Sequence, residues 1–81
     1  MVVRLAFMIT PDEVGRRLRR RRRLLDLKQA DVADRLGVHQ NTVSNWEHGE
    51  SLSLDRLLQV TEVLDMSLVD LLGDQDDVPA A

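Results

Sequence analysis

The chain has 81 residues and a mass of 9.2 kDa, room for one small domain and none for a multidomain enzyme. It contains no cysteine, which excludes a disulfide framework and a thiolate zinc site; 43% hydrophobic and 31% charged residues with four glycines and two prolines indicate a globular, helical chain rather than a turn-rich β domain. The net charge of -3 hides a split, because residues 1–28 hold nine basic and three acidic residues (+6) whereas residues 29–81 hold two basic and eleven acidic ones (−9). A dipolar surface follows. No apolar stretch approaches the roughly 18 residues of a membrane span, and Leu5–Ile9 lacks the flanks of a secretory leader, so the chain reads as cytoplasmic.

Over residues 1–9, Val3, Leu5, Phe7 and Ile9 alternate with Val2, Arg4, Ala6 and Met8, the period of an extended arm with one apolar face. Such an arm either lies on the helices or pairs with the same segment of a second subunit. Thr10-Pro11-Asp12-Glu13 is a helix start: Thr10 as N-cap, Pro11 in the first turn, Glu13 placed to close a capping box, with Ile9 and Val14 as a hydrophobic staple. The first helix puts Val14, Leu18 and Leu25 on one face and fans arginines around the rest. A second helix is predicted over Gln29–Leu36, buried through Val32, Ala33 and Leu36 and ended by Gly37 in the left-handed conformation. After the turn at Val38 and His39, a third runs from Gln40 to about Glu47, burying Val43 and Trp46, and stops before Gly49. Ser53 caps a fourth helix with Leu54, Leu57, Leu58, Thr61 and Leu64 at helical spacing; Ser67 to Asp70 is a second capping box and opens a short fifth helix ended at Gly73. The acidic segment 74–81 has little to bury and reads as disordered.

The informative stretch is Gln29 to Gly49. Two helices crossing steeply through a short turn need a small residue at their contact, a glycine at the turn and an apolar anchor after it, and Ala33, Gly37 and Val38 stand in those places. At about 100° per residue, Val43 and Trp46 face one side of the third helix while Asn41, Ser44 and Asn45 face the other, with Gln40 at its leading end. Amides and hydroxyls both donate and accept, as base edges in the major groove do.

The pattern Gln-x-x-x-Ala-x-x-x-Gly-Val-x-x-x-Thr-Val-Ser-x-Trp-Glu-x-Gly, followed by Leu-x-x-Leu-Leu and Met-Ser-Leu-x-x-Leu, resembles the Cro/C1-type (XRE) helix-turn-helix regulators over Val14–Leu72. The resemblance implies an all-α, five-helix, lambda-repressor-like DNA-binding domain at residues 10–73, preceded by the arm (1–9) and followed by the tail (74–81). It further implies base contacts from Gln40, Asn41, Ser44 and Asn45, and phosphate contacts from Gln29, Lys28, Thr42, His39 and Arg19, with Gln29 also bracing Gln40. Arg22 is implied to pair with Glu47 as a structural tie. The chain departs from the family pattern at Lys28 and His39, which stand where Ser, Thr or Asn usually cap, and at Asp26, where Gly is usual; these predict weaker caps and a weaker turn. The loop Gly49–Ser53 carries Glu50 and no base, where many relatives hold a phosphate.

The function so implied is a transcriptional regulator, a repressor acting as a homodimer on an inverted-repeat operator in double-stranded DNA. Val3, Leu5, Phe7, Leu68, Leu71 and Leu72 supply the dimer surface. The alternative is a protein-interaction module such as the antitoxin of a toxin–antitoxin pair, with a protein partner and DNA binding secondary. Arg16 to Arg23 read either as a solvated cationic face or, for a subset, as phosphate or partner contacts. His39 and His48 lack the spacing and company of metal ligands, no catalytic constellation or phosphate loop can be placed, and neither a cofactor nor an enzymatic activity is expected.

Overall fold

In chain order the computed structural model, which describes residues 9–73, runs through α1 (Pro11–Leu24), α2 (Gln29–Leu36), α3 (Gln40–Glu47), α4 (Leu54–Val63) and α5 (Leu68–Leu72). Among the described residues there is no strand, and no helix is long and apolar enough to cross a membrane. The expected arm, with Val3, Leu5 and Phe7, lies outside the described residues except for Ile9, and so does the acidic segment 74–81.

Each helix begins where a polar side chain satisfies an orphan backbone N–H. Thr10 Oγ1 accepts from the Glu13 N–H at 3.1 Å, Ser53 Oγ from Arg56 N–H at 3.2 Å, and Ser67 Oγ from Asp70 N–H at 2.9 Å. The Asp70 carboxylate returns a bond to Ser67 N–H at 3.1 Å, which completes that capping box. The box expected at α1 is not closed. Glu13 Oε1 accepts from Arg16 Nη2 at 2.8 Å and Oε2 from Arg17 Nε at 3.0 Å, so two guanidiniums hold the carboxylate that one backbone N–H would have used.

The departures at α2 and α3 are better supported than the sequence implies. Asp31 accepts from the Lys28 N–H at 2.8 Å, and the His39 ring Nδ1 accepts from the Asn41 N–H at 3.1 Å. Asp26 takes a φ of 61°, the left-handed turn that Gly would fill; aspartate tolerates this region better than most residues.

Val14, Leu18, Val32, Ala33, Val43, Trp46, Val60, Leu64 and Leu71 form one buried core drawn from all five helices. Of the residues at helical spacing in α4, Leu54 and Leu58 do not join the core: they are 62% and 48% exposed. The buried stripe of this segment is Val60, Thr61 and Leu64 with half-buried Leu57, and Leu54 and Leu58 fall roughly 70° and 110° round from its centre. Leu25 also differs: α1 ends one residue earlier, leaving Leu25 as its exposed C-cap.

At α5 the assignment reverses. Leu71, read from sequence as a dimer contact, is wholly buried and belongs to the core, because it faces the body of the domain from a helix of little more than one turn. Leu68 and Leu72 are half-buried, and Val69 is the exposed residue of that helix at 78%.

Candidate nucleic-acid interface

The third helix is held from behind by three kinds of contact. Val43 and Trp46 bury their side chains in the core, and Trp46 is the largest fully buried residue. Arg56 of α4 lies over the Trp46 ring, 5.7 Å from its centroid, so this base of the acidic half is occupied with packing. The backbone of α3 also lies directly against α1: a Cβ added at Gly15 would sit 2.4 Å from Glu47 O and 2.8 Å from Trp46 O. Gly15 costs helix propensity in α1. Its function is this close approach, which sets how far α3 stands from the body; the sequence signal was a glycine inside an otherwise well-capped helix.

The third contact is ionic. Arg22 Nε donates to Glu47 Oε2 at 2.6 Å and Arg22 Nη2 to Oε1 at 3.0 Å, a bidentate pair with both residues buried. Arg22 Nη1 donates to Leu27 O at 2.9 Å, so one guanidinium joins α1, the turn after it and the end of α3. Gln29 Nε2 donates to Glu47 Oε1 at 3.1 Å. The amide of Gln29 therefore braces Glu47 and not Gln40, because the buried carboxylate is the stronger acceptor within reach. No buried side-chain nitrogen or oxygen among the described residues is left without a partner.

The opposite side of α3 has the reverse character. Gln40, Asn41 and Asn45 are exposed, and none of their side-chain amides forms a hydrogen bond within the described residues. Ser44 is half-buried, and its carbonyl accepts from His48 Nδ1 at 2.8 Å. Around this row, Lys28 and His39 are exposed at the N-caps of α2 and α3, and Thr42 is half-buried with its N–H on His39 O at 2.9 Å. Because His39 Nδ1 is an acceptor, the neutral ring carries its proton on Nε2, which remains a donor. Arg19, half-buried on α1, makes no hydrogen bond or ion pair within the described residues. The loop after α3 turns at Gly49 (φ 81°), pressed on the Pro11 backbone, and presents exposed Glu50 and Ser51.

The arginine run divides by function. Arg17 Nη1 donates to Leu71 O at 2.8 Å and Gly73 O at 2.7 Å; Arg21 Nε donates to Leu64 O at 2.9 Å and Nη2 to Asp65 O at 2.9 Å. Both guanidiniums thus cap the C-terminal carbonyls of α5 and α4, where a cation is favoured by the helix dipole. The sequence reading missed this role. Its only trace was that Arg17 and Arg21 stand four apart, flanking the Val14/Leu18 stripe. The hydrogen bonds from Arg16 and then Arg17 hold the Glu13 carboxyl below its usual range.

No group of three or more histidines or acidic residues among the described residues is placed to hold a metal ion. The helix-turn-helix family model HTH_3 matches residues 18–71, well over half of the chain. No curated protein and no solved structure matches it.

Proposed function

The chain belongs to the Cro/C1-type helix-turn-helix family of DNA-binding regulators, and on that premise we propose that it is a sequence-specific repressor that binds an inverted-repeat operator as a homodimer. What carries the reading is the two-sided character of α3: buried Val43, Trp46 and Glu47 on one side, and exposed Gln40, Asn41 and Asn45 with unengaged amides on the other. Asparagine and glutamine amides pair with adenine N6 and N7, and Ser44 serves either base type. Lys28, the Nε2–H of His39, Thr42, Gln29 and Arg19 hold the flanking phosphates, which fixes register without reading sequence.

A single recognition helix reads a few base pairs, so useful specificity requires two copies, with half-sites about 34–36 Å apart on the duplex. The face of α5 that carries Leu68, Val69 and Leu72, with a shallow apolar depression of about 290 Å³, is the dimer surface in this reading, joined by Val3, Leu5 and Phe7. Repression follows by occlusion of polymerase at the operator, in the cytoplasm and on the nucleoid. Selection from random duplexes with the purified protein, followed by gel-shift titration, tests the proposal. A two-fold symmetric consensus bound well above random DNA is expected; no enriched sequence at moderate salt would reject it.

A further inference from the structure

Apart from Arg19 at its edge, the face of α1 turned away from the core is not used by the DNA-binding reading. Arg17, Arg20, Arg21 and Leu24 of α1 and Met66, Val69, Asp70 and Gly73 from the α5 side line an open groove of about 630 Å³. A second depression of about 440 Å³ shares Arg20 and Leu24 with it and adds Arg16, Arg19 and Arg23, so the two form one continuous cationic channel. Among the described residues only Arg16 and Arg17 of these guanidiniums have a carboxylate partner, Glu13; Arg21 is spent on carbonyls, and Arg19, Arg20 and Arg23 have no partner there. Among the described residues that line the channel, Asp70 is the acid, and its carboxylate accepts from the Ser67 N–H. Leu24, 71% exposed, gives the channel an apolar patch between the charges, and Val69 marks the edge it shares with the α5 dimer face.

Gly73 lines this groove, and its carbonyl is held there by Arg17 at 2.7 Å. The next residues in the chain are Asp74, Gln75, Asp76, Asp77 and Val78: three carboxylates, no base, then one aliphatic side chain. We propose that residues 74–78 dock in the α1/α5 groove of their own chain, the aspartates against Arg20 and Arg23 and Val78 against Leu24. Reach is sufficient, since five extended residues span about 17 Å and α1 rises about 10 Å from Arg17 to Leu24. Tethering at Gly73 places the acids at an effective concentration of order millimolar, so individually weak, screened ion pairs suffice to populate the contact. A docked tail offsets the cations on this face, and competing polyanions meet a neutral surface there while the α3 face stays open.

The absence of cysteine lets a single Ala80→Cys substitution carry a nitroxide label at one site. In the full-length labelled protein, paramagnetic loss of the Arg20, Arg23 and Leu24 amide signals is expected. That loss is expected to vanish in the Asp74→Asn/Asp76→Asn/Asp77→Asn variant, and in about 1 M salt, where the Debye length is about 3 Å. The substituted positions lie outside the described residues, and the readout does not depend on DNA binding, so its failure is separate from failure of the regulator reading. Equal signal loss in the native and neutralised tails would overturn the proposal. Loss that appears only when labelled chain is mixed with isotope-enriched, unlabelled chain would also overturn it, because the occupant would then be a second copy's tail.

Discussion

The outward faces of α1 and α3 are both polar, yet they are built on different terms. On α3 the exposed amides of Gln40, Asn41 and Asn45 take no part in holding the domain together, and the helix is fixed entirely through Val43, Trp46 and Glu47 behind them. On α1 the arginine run is divided: Arg17, Arg21 and Arg22 bind carbonyls or a buried carboxylate, and Arg19, Arg20 and Arg23 are left outside. A face whose polar groups are all unengaged can change its residues without unfolding the protein. A face whose charges are shared with the fold cannot.

The sharpest way to break this contrast is at the tie between the two helices. Glu47→Ala strands the buried Arg22 guanidinium and is expected to cost about 3–5 kcal/mol, read as a loss of stability in urea unfolding followed by the single tryptophan. Gly15→Ala comes next. Its Cβ meets Glu47 and Trp46 backbone oxygens rather than a flexible side chain, so α3 must shift, at about 1–3 kcal/mol for overpacking. Equal stability of wild type and Gly15→Ala would mean that the helices are not in the close contact described. Along the arginine run, Arg21→Ala is expected to lose about 1 kcal/mol for its carbonyl bonds, while Arg20→Ala stays within about 0.5 kcal/mol of wild type. Comparable losses for both would erase the division of α1.

The smallest effect is at Glu13. Its carboxyl is held below the ordinary range by Arg16 and then Arg17. The stability this contributes is present above the carboxyl's unfolded value and is lost as pH falls through its lowered folded value. An acid titration of wild type against Glu13→Gln is expected to show a gap between the two that closes at low pH. Solvent around this partly exposed pair keeps the gap small.

The helices were legible in the sequence because their ends are written in short-range chemistry. Thr10, Ser53, Ser67 and Gly37 each fix a terminus through a neighbour within three or four residues, and the bounds of α2 and α3 follow from periodicity between them. Long-range features were less visible. Leu71 and Leu54 are both leucines at helical spacing, and only the packing of α4 and α5 sends one into the core and leaves the other in solvent. Arg17 and Arg21 looked like any other members of a charged run, since the carbonyls they bind lie more than forty residues away. The outward row on α3 was readable because it complements an inward row that had to be buried. The engagement of Gln29 with Glu47 was not, because an amide that braces a buried carboxylate and a surface amide look alike in sequence.

The central claim is that the unengaged amides of α3 read base edges while the rest of the domain positions them. Titrating Asn41→Ala against the selected operator and against a random duplex of equal length, at one fixed salt concentration, tests it directly. The account predicts a loss of about 1–3 kcal/mol on the operator, with binding to the random duplex and thermal stability both unchanged. An equal loss on both duplexes, or none on either, would contradict it.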